Sequence, residues 1–116
     1  RRMLNWQENF KQGKELILAT SHKDKPNANI AISLGFHDGK LLIADCQMQT
    51  TINNLKENPN ICIVAGYLRL KGTVEIQPQG KYFDIAKEKT KEYTVKNAII
   101  VTPKEVYDLD KGEILL

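Results

Sequence analysis

The chain has 116 residues, of which 41% are apolar and 27% charged, with a formal net charge of +3. This length supports a single domain over residues 1–116 with one core, and it does not support two. The composition is that of a soluble globular protein. The charge is too small and too scattered to argue for nucleic acid by itself, and the apolar runs are too short to span a membrane as a helix. The N-terminal stretch is polar and charged, with no secretory signal. The two cysteines, Cys46 and Cys62, have no histidine cluster beside them. That argues against a zinc site and for reduced thiols in a cytoplasmic protein.

In chain order, residues 4–11 form a short amphipathic segment with Leu4, Trp6 and Phe10 as its apolar positions, ended by Gly13. Residues 15–21 contain the continuous apolar run Leu16-Ile17-Leu18-Ala19, which has the length of a strand. A turn by composition follows at residues 22–26. Residues 28–36 alternate: Ile30, Ile32, Leu34 and Phe36 on one side, and Asn29, Ala31, Ser33 and Gly35 on the other. The second side carries only small or short polar groups. It reads either as a solvent face or as a docking surface that a flat molecule or another backbone can approach, and we expect ligand or partner to cover it. Asp38-Gly39 signals a hairpin, with a return strand over residues 40–44.

The stretch over residues 45–59 organises the rest. It joins that strand to another at residues 61–65 through one short helix, with Ile52 and Leu55 on its apolar side and Asn58-Pro59 as its stop. Thr50 and Thr51 open the helix. Threonine hydroxyls cap the free N–H groups of a helix start, and the same N–H groups with the positive end of the dipole can hold an anion. Both readings stand on this stretch alone.

Residues 67–76 alternate again, with Gly72 interrupting the apolar side as in a sharply coiled strand. Tyr67, Arg69, Lys71, Thr73 and Glu75 share the other side. A second helix is predicted over residues 81–93, a last apolar strand over 97–102 ended by Pro103, and a short continuation near residues 106–109. About six mostly antiparallel strands and two or three short helices predict a mainly β fold, a small barrel closed from sequential hairpins. His22 and His37 fall in turns and read as solvated. No nucleophile elbow, phosphate loop or dinucleotide glycine pattern is present.

Several features taken together resemble one family. They are Leu18-Ala19-Thr20, Pro26-Asn27 before an alternating strand, Asp38-Gly39-Lys40-Leu41, and Thr50-Thr51 followed by Asn54-Leu55-Lys56 and Asn58-Pro59. Leu70-Lys71-Gly72-Thr73 completes the set. Over about residues 15–109 the chain resembles the FMN-binding split-barrel family related to pyridoxamine 5'-phosphate oxidase. The resemblance implies a six-stranded antiparallel split β-barrel and a homodimer with FMN at the interface. It implies that Asn29, Ile30, Ala31 and Ile32 lie along the flavin, that Gln49, Thr50 and Thr51 hold the phosphate, and that Lys71 stands near it. Asp45 and Cys46, beside that turn, join the expected cofactor site.

Relatives often carry Lys or Arg in the turn where this chain has Gln49, Thr50 and Thr51. The neutralising charge is therefore expected from Lys71 or Arg69. Without the family, those two residues and Glu75 read as a surface ion-pair ladder. The implied function is a small flavoprotein oxidoreductase acting with a small-molecule electron donor or substrate. Its electron chemistry belongs to the cofactor. Oxidation of the vitamin itself is not expected, because the chain ends soon after the sixth strand. Two alternatives stay open: a barrel holding another flat cofactor, a deazaflavin or haem, and an OB-like module for single-stranded nucleic acid.

Overall fold

The computed structural model describes residues 5–116, so Leu4 lies outside the described residues. A 3-10 turn, Trp6–Phe10, precedes β1 (Glu15–His22), β2 (Lys25–Ile32), β3 (Phe36–His37) and β4 (Lys40–Asp45). Then follow α1 (Gln49–Glu57), β5 (Asn60–Ala65), β6 (Leu68–Gln77), α2 (Lys81–Lys89), β7 (Asn97–Asp108) and β8 (Glu113–Ile114). The strands run in the order β2-β1-β5-β6-β7-β4-β3, with β8 on β7. Every pair is antiparallel. Six of the strands are long, and β2 touches β4 at the far end of that order. The sheet thus curls into the split barrel expected from the sequence.

Both early hairpins turn as their residues require. Lys23 and Asp24 have φ of 51° and 63°, and Asp38 and Gly39 have φ of 55° and 77°. Two consecutive positive φ values give the turn whose twist matches the flanking strands. The barrel interior is filled by Leu16, Leu18, Leu41, Ile43, Ile63, Leu70, Ile99, Val101 and Val106, with Ile52 and Leu55 of α1 and Phe10 of the 3-10 turn joining them. A second cluster lies outside, where Ala86 of α2 packs on Leu42, Ala98 and Ile100 together with Leu34 and Val95. Strands β4 and β7 are therefore covered on both faces. That is why Ala98-Ile99-Ile100-Val101 reads as an unbroken apolar run rather than an alternation.

Several expectations are corrected. The alternating strand ends at Ile32, and residues 33–35 leave the ladder before β3. Helix α2 stops at Lys89, short of residue 93. Pro103 does not end the last strand. Pairing shifts from Lys71↔Glu105 to Gly72↔Pro103, so Lys104 is the extra residue of a bulge and the proline sits where the ladder is already broken. A Cβ at Gly72 would collide with the Thr102 carbonyl and reach 3.2 Å from Val101 Cγ1, so the close crossing needs glycine.

The small-residue side of β2 is also not the open one. Ala31 and Asn29 face Leu16 and Leu18 across the ladder, inside the barrel. Ser33 is fully buried, with its hydroxyl donating to the Phe10 carbonyl (2.5 Å) and accepting from the Gly35 N–H (3.0 Å). Ile30 and Ile32 point outward instead, 65% and 51% exposed. Small residues are wanted inside, where α1 lies close to the strand.

Candidate functional site

Helix α1 begins without a side-chain cap. Its N-cap is Met48, and Gln49, Thr50 and Thr51 form the first turn rather than the cap. The first helical bond runs from the Ile52 N–H to the Met48 carbonyl (2.8 Å), leaving the first-turn N–H groups with no side-chain acceptor. The buried carboxylate of Asp45 fixes this corner. It accepts from the Met48 N–H (2.9 Å) and from Asn97 Nδ2 (2.8 Å), tying the end of β4 to the start of both α1 and β7. Thr51 is fully buried, and its hydroxyl accepts from Asn27 Nδ2 (3.3 Å), which also donates to Asn29 Oδ1 (3.1 Å). Asn27 thus ties Thr51 of α1 to β2, with Asn29 orienting its amide. Thr50 and Gln49 are exposed, the latter bonded to Asn53 (2.9 Å).

Beside this helix start lies a cleft of about 560 Å3. Ile30, Ala31, Ile32 and Leu34 form one wall, Ala44, Cys46, Gln47 and Met48 the second, and Thr90, Tyr93, Thr94 and Lys96 the third. The third wall is the segment between α2 and β7. Its position is set from both ends. The Lys96 N–H donates to the Asp45 carbonyl (2.8 Å). At the other end Lys89 Nζ, at the close of α2, donates to Gln12 Oε1 (2.7 Å), and the start of α2 is anchored where Asp38, on the β3–β4 hairpin, accepts from Lys81 Nζ (2.6 Å) and the Tyr82 hydroxyl (2.8 Å). The Lys81 hydrogen bond holds the Asp38 carboxyl below its ordinary value, and Asp38 in turn raises Lys81 and Tyr82. Burial, and then the charge of Asp45, push the Cys46 thiol up, so it is a neutral lining group rather than a ready nucleophile.

A second cavity, about 520 Å3, opens on the outer sheet face beyond the C-terminal end of α1. Lys71 lines it, with Lys104, Thr73, Asn58, Asn60 and Cys62 among its neighbours. Arg69 is engaged with Glu105 (3.9 Å) and lies 5.1 Å over the Tyr107 ring. Within one copy of the chain, then, Ile30, Ala31, Ile32 and Cys46 share the first cleft. Gln49 and Thr50 stand at the helix start, Asp45 and Thr51 are internal braces, and Lys71 is elsewhere. Among the described residues no group of three His, Cys, Asp or Glu could hold a metal ion, and no helix is long and apolar enough to cross a membrane.

Sequence reasoning missed Met48, Tyr93 and Lys96. Their one signal was that they flank the ends of β4 and β7, and it becomes useful only once Asp45↔Asn97 are known to pair.

Residues 5–114 match the family model described as pyridoxamine 5'-phosphate oxidase. An uncharacterized protein of Methanocaldococcus jannaschii is 31% identical over 110 residues, covering 84% of this chain and 74% of that protein. Among solved structures, HupZ of Group A Streptococcus superposes with a TM-score of 0.84 at 21% identity, covering 98% of this chain and all of that one. An F420 reductase superposes with a TM-score of 0.69 at 18% identity over 92% of this chain and 99% of that one. At such identities these structures speak for the fold alone.

Proposed function

The chain belongs to the pyridoxamine 5'-phosphate oxidase family, and we propose that it is a small flavoprotein oxidoreductase that binds FMN in the cleft between β2, the start of α1 and residues 90–96. The observation that carries this reading is the cleft itself. Its volume, about 560 Å3, lies in the range of small-molecule sites. Its walls are apolar and small, and the outward Ile30 and Ile32 are large side chains left in water.

The residues present fit the group. Ile30, Ile32 and Tyr93 offer flat apolar contact for a ring system, while Ala31 and Ala44 leave room for it. The uncapped N–H groups of α1, the Thr50 hydroxyl and Lys96 are the donors at hand for a phosphate. A bound flavin supplies the electron transfer, taking up and returning electrons through its ring. The chain's own part is to bind, orient and exclude water. Ile30, Ile32 and Tyr93 would supply the apolar contacts to the ring system, and the Asp45–Asn97–Met48 corner would hold the donors in place.

We also read the chain as a homodimer. A row of outward residues, Ile30, Ile17, Val64, Arg69 and Tyr107, crosses β2, β1, β5, β6 and β7 in register. A second copy would cover the exposed Ile17 and Ile30 of that row. Two free cysteines suit a cytoplasmic setting.

The test is direct. Purified protein titrated with FMN should quench flavin fluorescence to saturation at one flavin per chain, and sedimentation should give a dimer at micromolar concentration. The same titration with haem and with a deazaflavin provides the contrast. Preference for either over FMN, or no uptake of FMN, overturns the reading.

A further inference from the structure

The cleft poses an electrostatic problem. A phosphate carries between one and two negative charges at neutral pH, and the buried carboxylate of Asp45 already stands at the helix start. Neutral N–H donors orient a phosphate, but a like charge nearby weakens what they achieve. Some cation must offset it.

Among the described residues, Lys96 is the one charged side chain that lines the cleft. Its backbone is fixed beside the helix start by the bond to the Asp45 carbonyl (2.8 Å). It lines the cleft together with Cys46 of the facing wall. It is exposed, and among the described residues no carboxylate pairs with it. The other basic candidates are placed differently. Lys71 and Lys104 line the second cavity, and Arg69 is taken up by Glu105 and Tyr107.

We infer that Lys96, and not Lys71, is the charge-selecting residue of the cleft: its ammonium binds the flavin phosphate and sets the preference for FMN over riboflavin. The inference rests on the reading of the cleft as a flavin site. It adds which residue recognises the anion. A compact ammonium on a flexible stem suits this position, because it follows the phosphate without demanding the planar geometry of a guanidinium.

FMN and riboflavin, titrated separately by fluorescence into the full chain and into Lys96→Gln, Lys96→Arg and Lys71→Gln, test this. The wild type should prefer FMN. Lys96→Gln should weaken FMN by roughly ten- to hundredfold and leave riboflavin within about twofold. Lys96→Arg should restore most of the loss, and added salt should erode the FMN preference of the wild type more than that of Lys96→Gln. Lys71→Gln removes the same net charge and should change neither ligand. An unchanged FMN preference in Lys96→Gln, or its loss in Lys71→Gln, overturns the inference while the flavin site stands. Equal wild-type affinity for the two flavins also overturns it and leaves only the ring site. A wild type that takes up neither flavin removes the site itself. Because Lys96 is exposed, the variants should keep the wild-type circular dichroism.

Discussion

The two cavities are close in volume, about 560 and 520 Å3, and each contains one cysteine, yet they are built on different principles. The first is assembled from three segments far apart in sequence: β2, the β4–α1 corner, and the segment after α2. It is apolar, carries a single lysine, and is bounded by a helix start whose N–H groups are spare. The second lies on the outer face of consecutive paired strands, lined by two lysines and several amides and hydroxyls at the end of α1 where carbonyls, not N–H groups, are left over. Its floor is the tight crossing at Gly72. Lysine count does not separate the two cavities as the chemistry of their walls does: the first sets a single cation beside spare donors and an apolar wall, the second sets two cations beside spare acceptors.

Four experiments break or sharpen that contrast. The largest effect is expected from Ile30→Ser combined with Ile32→Ser. Both side chains are more than half exposed in the single chain, so the fold should survive. Losing two apolar contacts of up to about 1.5–3 kcal/mol each should weaken FMN and riboflavin alike by about a hundredfold or more. Binding that survives this change would move the ligand out of the first cleft. The next is Gly72→Ala, which forces a methyl group against the Thr102 backbone at the floor of the second cavity. It should destabilise the chain by about 1–3 kcal/mol in denaturant melts. The wild-type ratio of FMN to riboflavin affinity should remain, which would mark that cavity as structural.

The third uses the two thiols as reporters. Because burial raises the Cys46 thiol, alkylation there at pH 8 should be slower than for an open thiol. FMN should slow it several-fold more while leaving Cys62 unchanged, as mass spectrometry of the labelled peptides would show. Equal protection of both cysteines would break the contrast.

The smallest effect concerns the clamp that sets the third wall. Asp38 is held below its ordinary value by Lys81 and Tyr82, so its share of stability is present above the ordinary carboxylate pKa. That share is lost as pH falls through the lower native one. Lys81 and Tyr82 are raised, so their share is complete below their ordinary values and fades as pH rises through the native ones. All three are exposed and screened by solvent. Asp38→Asn should therefore trim only a small acid-side loss of melting temperature and loosen flavin binding slightly. A large change in either would mean that the clamp matters more than its exposure suggests.

Much of the fold was legible. Alternation located β2 and β6, apolar runs located β1 and β5, and Asp38-Gly39 located a hairpin with β4 as its return strand. Thr50-Thr51 through Asn58-Pro59 located α1 within a residue. The candidate site was legible only in part. Ile30, Ala31, Ile32 and Cys46 were named and do share a cleft, but the reason given for β2, an open small-residue face, was inverted. Period two states that a strand has two faces and not which one looks inward. Here the proximity of α1 decides, since its Thr51 and the facing Asn27 leave room for alanine and asparagine inside and push the isoleucines out.

What the sequence by itself determined is therefore local: strand and helix periods, tight turns with positive φ, the helix stop at Asn58-Pro59, and an order of motifs specific enough to point to the family. These depend on residues near one another along the chain, where backbone sterics and side-chain alternation act directly. Tertiary structure alone decided which threonine is buried, which lysine stands beside the helix start, and that Pro103 sits at a bulge rather than at a strand end. Those depend on the pairing of β4 with β7 and of β6 with β7, more than fifty residues apart in the first case (Asp45↔Asn97). No local preference encodes such a pairing. It emerges when the apolar faces of all the strands are buried together.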